Sequence, residues 1–581
     1  MNPISRAGAM ALLWLLQACT STPPQQVASM QRATQFGPLV GVDDSASSGT
    51  YSWKGVPFAK APVGPLRWKA PQDPQQWGPP RPARNFASAC VQTGRLYGPG
   101  LNNRYDATIG TTLGQTVGSE DCLYLNIWQP AAPSPARRPV IVWVHGGSNI
   151  TGYTADPLYD GANLARAADA IVVSVNYRLG IFGFLNLPKL RPGNAVEDSG
   201  NFALLDIVKA LEFVQNNIAG FGGDPQRVTL MGQSAGAVNV YALMTSPMLA
   251  DRAPRLFHRV IALSGGLSTA STLPAGSIPG VLPASVWQAR GEALLAHSLV
   301  VDGVAKDPAA ALAHAAGRTS RQVGEYLRAQ PADALLTTVR TRLAPLGMAA
   351  SNPIPDGAVV ATDPIAAIRS GRYVDVPVLA GNTRDETRLF PGLLALRPGL
   401  GGTSGRLLDD AAVFALASRY DPEAPAATRV EDWIPAVYLP LNAPGTGFHA
   451  RSRELNRIWF EAIRNDMLDA LKYRQPAVWY YQFEWDGLPK PLDGIFGAAH
   501  TFDLPFVFGN FGPSLFANFS FTRANQGGRL ELSHAMMQSI GAFAGSGNPN
   551  NPTLGTHWAA WPERLIFDAS PRDARISVRG P

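Results

Sequence analysis

The chain has 581 residues, 46% of them hydrophobic and 16% charged, with 57 glycines and 50 prolines. That is the composition of a globular protein with a large core and many turns, and it excludes a disordered or low-complexity chain. A formal charge of +6 is modest for this length, and with no Lys/Arg run and no nucleic-acid motif it leaves nucleic acid outside the expected partners. The sequence shows no internal repeat, metal-ligand spacing or phosphate loop, so neither a metal nor a cofactor is expected.

At the N-terminus, Arg6 precedes the apolar run from Ala9 to Leu16, which is too short to span a membrane. Leu16-Gln17-Ala18-Cys19 resembles a bacterial lipobox and is followed by a polar Thr/Ser/Pro/Gln stretch. The expected organisation is a signal segment over 1–19, a flexible linker over 20–35 and one long folded domain over 36–581. Cys19 is then the acylated residue, giving attachment to a membrane. Ordinary cleavage after Ala18 is the alternative, weakened by bulky Leu16 where a small residue is preferred. Either route exports the protein, to the cell envelope, the periplasm or the medium. With Cys19 tied up at the terminus, the other two of the three cysteines, Cys90 and Cys122, form a single pair. An oxidising compartment joins them across a loop of about 30 residues, worth roughly 3 to 4 kcal/mol by chain-entropy arguments. Two buried thiols are the alternative.

Apolar runs near 140–144, 171–175, 228–231, 259–263 and 376–380 read as central strands. Between them lie helical patterns, such as Asn201 to Ile218 with Leu204, Ile207, Val208, Leu211 and Val214 on one face. The alternation predicts an α/β fold, a mostly parallel sheet with helices on both faces. The Ala-rich stretch 287–340 and the irregular stretch 390–450 are expected to wall the site.

The first of these strands opens into His145-Gly146-Gly147-Ser148, the composition of an oxyanion loop. The strand Arg227–Met231 runs into Gly232-Gln233-Ser234-Ala235-Gly236 and then a helical stretch. Between strand and helix, G-x-S-x-G is a nucleophile elbow that exposes the Ser234 hydroxyl at the edge of the sheet. The amides of Gly147, Ser148 and Ala235 are the expected oxyanion donors. A serine nucleophile needs a histidine base and a carboxylate to orient it, in the chain order Ser, acid, His. Of eight histidines, His449, His500, His534 and His557 lie far enough downstream. His500, in the Gly/Ala loop Gly494–Ala499, is the candidate, whereas His534 sits in a helical pattern. The strand near 376–380 ends at Asp385-Glu386, and general chemistry does not separate the two carboxylates.

These motifs, with Gly55-Val56-Pro57-Phe58-Ala59, Ser119-Glu120-Asp121-Cys122-Leu123, Asn176-Tyr177-Arg178-Leu179-Gly180, Phe221-Gly222-Gly223-Asp224-Pro225 and Asp503-Leu504-Pro505-Phe506, resemble the type-B carboxylesterase and cholinesterase family of α/β-hydrolases over most of the chain. The resemblance implies hydrolysis of small-molecule carboxylic esters through an acyl-enzyme, with no cofactor. It assigns the acid to Glu386, places Ser264 behind that acid, and makes the Cys90–Cys122 bridge the closure of a loop at the rim of the site. An acyltransferase using the same intermediate is an alternative. So is a non-catalytic surface-binding relative, which a complete triad argues against. Two positions depart from the family pattern. Gln233 replaces the usual glutamate before the nucleophile, and Ser148 stands at the often-glycine third position of the loop, so the tertiary-alcohol esters taken by H-G-G-G members are not carried over. The loop from Cys90 to Cys122 holds Tyr97 and Tyr105 but no tryptophan, unlike choline-binding relatives. With Gln233, this implies neutral or anionic esters in preference to choline esters, unless Tyr97, Trp433 or Tyr438 supplies the missing aromatic face.

Overall fold

The computed structural model describes residues 30–389, 409–424, 428–514 and 517–580. The expected signal segment with Cys19, and most of the linker, lie outside the described residues. The end of the linker does not: Gln31–Thr34 is a strand paired antiparallel with Gly37–Val40. Ordered structure therefore begins before residue 36.

Among the described residues, eleven strands make one sheet. In chain order they are β1 (Val42–Asp44), β2 (Thr50–Pro57), β3 (Tyr124–Pro130), β4 (Arg138–Val144), β5 (Ile171–Val175), β6 (Gly223–Gln233), β7 (Arg259–Leu263), β8 (Val378–Thr383), β9 (Val478–Phe483), β10 (Arg564–Ala569) and β11 (Ala574–Arg579). Their order across the sheet is β11-β10-β9-β8-β7-β6-β4-β5-β3-β2-β1. From β10 across to β5 every pairing is parallel, while β11 at one edge and β3, β2 and β1 at the other run antiparallel to their neighbours.

Parallel strands covered on both faces need apolar side chains at consecutive positions, and β4 supplies them. Val140, Val142 and Val144 enter one core, and Ile141 and Trp143 the other. Helices α2 (Phe202–Asn217), α3 (Ala235–Met244) and α4 (Ala284–Val301) contribute to the first core. Helices α1 (Ala162–Ala168) and α5 (Gln526–Ser546) contribute to the second. The helical pattern at 201–218 becomes α2, with Leu204, Ile207, Leu211 and Val214 all buried. One expectation fails: residues 287–340 do not wall the site. Leu294, Leu295 and Leu299 of α4 and Leu335 and Leu336 beyond it are absorbed into the first core, because their apolar faces match that side of the sheet.

Candidate active site

The site lies where β6, β4, β7 and β8 end, at the carboxyl edge of the parallel strands. β6 stops at Gln233 and α3 starts at Ala235, leaving Ser234 alone in the turn with φ +56° and ψ −124°. A left-handed serine is strained by about 1–3 kcal/mol and persists only where its surroundings enforce it. Here the Ser234 amide donates to Leu263 O at 2.8 Å, tying the elbow to the end of β7. Gly236 lets α3 pack against β4, since a Cβ there would lie 2.1 Å from Val144 O.

The loop after β4 is also forced. Gly147 has φ +101°, and a Cβ on it would lie 2.1 Å from Thr151 O. Ser148 follows at φ +54°. Ile150 and Thr151 both donate to Gly147 O, which closes the turn. Among the described residues, the N–H groups of Gly147, Ser148 and Ala235 donate to no protein acceptor, so all three sequence-predicted donors remain available near Ser234. His145 is a scaffold for this loop. Its ring stacks on Tyr177 at 4.6 Å, its Nδ1 lies 2.8 Å from Gly146 O, and burial pushes its pKa down to about 4, so it stays neutral. Asn149 and Asn239 exchange side-chain hydrogen bonds beneath it.

The rim loop is fastened to the same turn. Cys90 and Cys122 are joined by a disulfide. Two residues on, Gln92 Oε1 accepts from Thr151 Oγ1 at 2.8 Å and from Gly152 N at 2.9 Å, while its Nε2 donates to Cys90 O and Gly152 O. Peptide mapping of the native protein without reduction should recover Cys90 and Cys122 in one linked fragment, and thiol labelling of both would refute the bridge.

β8 ends at Thr383, and the two carboxylates that follow separate completely. Glu386 is fully buried; its Oε2 lies 2.5 Å from His500 Nδ1, and its Oε1 accepts from Asn382 Nδ2 and Thr383 N, both at 2.9 Å. Burial pushes this carboxyl up, but the His500 ring, then the Ser264 hydroxyl and the Asn382 amide, outweigh burial and hold it below its ordinary range. Ser264 stands beside the acid, and its Oγ falls short of hydrogen-bond geometry. Asp385 turns the other way. It pairs with Arg388 at 2.9 Å and Arg384 at 2.8 Å and accepts from Ala498 N, so it clamps the histidine loop to the acid loop.

His500 lies 2% exposed at the end of that loop, its amide donating to Glu386 O. Its Nε2 is 3.1 Å from Gln233 Nε2. An amide N–H is a donor, so Nε2 accepts and Nδ1 carries the proton toward Glu386, the tautomer a general base needs. Of the other downstream histidines, His449 donates from Nε2 to Gly494 O, and His534 and His557 are exposed.

Ser234, Gln233, His500, Gly147 and Ser148 line a cavity of ≈ 340 Å³. Sequence reasoning gave too little weight to some groups here and missed others. Trp433, from the irregular stretch, and Tyr159 join the rim-loop residues Tyr97 and Tyr105 in the lining, so the cavity has a tryptophan although the rim loop has none. Asp156 also lines the cavity; its Oδ1 accepts from Leu158 N, and burial pushes its carboxyl up to about 6. The two arginines in the lining are committed, Arg95 to Asp410 and Arg388 to Asp385, whereas Asp156 forms no ion pair among the described residues. The Asp156-Pro157 step, a common turn opener, was the only signal in the sequence. Asp503, quoted in a motif but given no role, is fully buried close to the triad: Tyr481 donates to its Oδ2, Oδ1 has no partner among the described residues, and burial pushes it up to about 6. Neighbouring buried acids are thus held in opposite directions, Glu386 toward its charged form and Asp503 toward its neutral one.

Comparison with known proteins agrees with this geometry. The carboxylesterase family model matches residues 28–567. The chain is 32% identical to the para-nitrobenzyl esterase of Bacillus subtilis, over 92% of this chain and 94% of that one. It is 31% identical to the fumonisin B1 esterase of Sphingopyxis macrogoltabida, over 96% and 90%. A solved para-nitrobenzyl esterase superposes with a TM-score of 0.68 at 27% identity, over 95% of this chain and 97% of that one. The chain belongs to the carboxylesterase family, with the α/β-hydrolase fold and ester-hydrolysing activity of that family.

Proposed function

We propose that the protein hydrolyses small to medium carboxylic esters through an acyl-enzyme formed on Ser234. The observation that carries this reading is the 2.5 Å contact of fully buried Glu386 with His500, whose ring lines one cavity with the strained Ser234. Ser234 Oγ attacks the ester carbonyl and passes its proton to His500 Nε2, displacing the Gln233 amide from that nitrogen. The amides of Gly147, Ser148 and Ala235 hold the oxyanion, each worth about 3 kcal/mol of barrier. His500 then protonates the departing alcohol oxygen as the C–O bond breaks, and water repeats the sequence on the acyl-enzyme. Glu386 fixes the His500 tautomer and stabilises the imidazolium. Purified protein should cleave a graded panel of p-nitrophenyl esters; if added methanol captures the acyl group in place of water at low methanol concentration, the transferase reading wins.

Uncharged esters suit this cavity better than anionic ones. Above pH 6 the ionised Asp156 opposes anionic groups, which narrows the expected range of neutral or anionic esters to neutral ones. Neither ground against choline esters stands unopposed, since Trp433 and three tyrosines offer a cation an aromatic surface and the ionised Asp156 offers a negative charge in the same lining. The Asp156→Asn variant keeps an acceptor for Leu158 N while removing the charge. It should raise kcat/KM for esters of carboxylate-bearing alcohols about tenfold at pH 8 and little at pH 5, where Asp156 is already protonated. An equal gain at both pH values would remove Asp156 from substrate selection.

The reading of the N-terminus stands as part of the same proposal: a signal over 1–19, a linker from residue 20, and a domain held at the cell envelope by acylated Cys19. Durable anchorage needs more than one acyl chain, which bacterial lipoprotein modification supplies. Mass spectrometry of the mature N-terminus should find diacylated or triacylated Cys19; an unmodified cysteine or a start elsewhere means a protein released to the periplasm or medium.

A further inference from the structure

A second cavity, of ≈ 400 Å³, lies behind the candidate acid, with Asn382, Thr383 and Glu386 in its wall. Ser234, Gln233 and His500 belong to the first cavity and not to this one, and Arg388 is common to both linings. The wall of the second cavity carries five guanidinium groups against three carboxylates, a surplus of two positive charges.

The pairing makes the surplus sharper. Arg384 and Arg388 are bound to Asp385, and Arg384 also to Asp486. Glu386 is committed to His500, and Glu461 accepts from Asn456 Nδ2 at 3.0 Å. Arg453, Arg464 and Arg564 form no ion pair among the described residues. Arg464 bonds only neutral acceptors, Tyr480 OH and Asn465 Oδ1, and is held over the rings of Tyr480 at 5.0 Å and Trp561 at 5.8 Å. Arg564 reaches Gln482 Oε1 at 3.4 Å and the carbonyl of Gly580. Like charges converging on one cavity repel each other, and the cost is relieved most directly by an anion. Guanidinium groups favour planar or tetrahedral oxyanions, which accept two parallel N–H bonds, and an arginine already fixed by stacking loses little freedom on binding.

We propose that this cavity is a second ligand site, taking a small polyvalent oxyanion, either a di- or tricarboxylate or a phosphate, held by Arg453, Arg464 and Arg564. The site is separate from the ester pocket, and its bound negative charge lies on the Glu386 side of His500. The proposal does not depend on the identity of the ester.

The test is isothermal titration of the full-length protein with citrate and, separately, with inorganic phosphate, at constant ionic strength set with chloride. At least one should bind saturably with 1:1 stoichiometry, and which one does identifies the anion class. Binding should persist after Ser234 is blocked with an alkyl phosphonate. It should weaken at least tenfold in Arg564→Gln and in Arg453→Gln, the latter an exposed residue whose loss should leave folding intact. Both variants should keep ester hydrolysis within twofold of wild type without the anion. Three results would overturn the proposal: no binding beyond the chloride background, binding lost on phosphonylation, or undiminished binding in both variants. Because the readout is binding, it stands or falls apart from the esterase assignment.

Discussion

Ser234→Ala should lower kcat/KM for p-nitrophenyl esters by roughly 10⁵-fold or more, while the protein stays folded. Loss of the nucleophile in a triad that acts as a unit removes nearly all the rate, leaving only what oxyanion stabilisation and binding provide. Folding should survive because alanine is smaller, and it meets the φ of +56° at a cost close to that of serine. The bond from the amide of residue 234 to Leu263 O is independent of the side chain. The check is a steady-state assay beside a thermal melt. Near-wild-type turnover with an unchanged melting temperature would mean that the nucleophile lies elsewhere.

Glu386→Gln should cost about 10⁴-fold in kcat, because an amide at that place keeps the shape but no longer fixes the His500 tautomer or balances the imidazolium. The carbonyl of the substituted amide can still accept from Thr383 N, so the effect on stability should be smaller than the effect on rate. Asp385→Asn reverses the pattern. Its carboxylate meets Arg388, Arg384 and Ala498 N rather than His500, so the variant should lose about 1–3 kcal/mol of stability with less than a tenfold loss of rate. The two variants measured side by side separate the carboxylates that the sequence left equivalent. A catalytic collapse in Asp385→Asn with a mild Glu386→Gln phenotype would exchange their roles.

The elements that could be read from the sequence were those with strong local constraints. The parallel strands are apolar at successive positions, so β4, β5 and β7 are visible as runs, and α2 follows from its 3.6-residue period. The elbow and the Gly146-Gly147 turn are visible because only small residues fit there. The edge strand β11 was missed because its residues alternate between half-buried and exposed, and β10 because its apolar run, Leu565 to Phe567, is only three residues long. The choice between Asp385 and Glu386 depends on which way a short turn rotates, and that is decided by the 497–499 loop, more than a hundred residues away in sequence; only the resemblance to a family pointed to Glu386. Asp156 and Trp433 reach the ester cavity, and α4 misses it, for the same reason: tertiary packing, not local pattern, decides which face of a segment meets the site.

The central claim is a covalent acyl group on Ser234, and trapping that species tests it most directly. Rapid acid quench of the protein with a slowly deacylating p-nitrophenyl ester, followed by intact mass and peptide sequencing, should show one acyl increment per chain on the peptide holding Gly232 to Gly236, assigned to Ser234. The Ser234→Ala variant should show none. Steady turnover with no acyl increment under conditions of slow deacylation, or an increment on a peptide that excludes Ser234, would contradict the account.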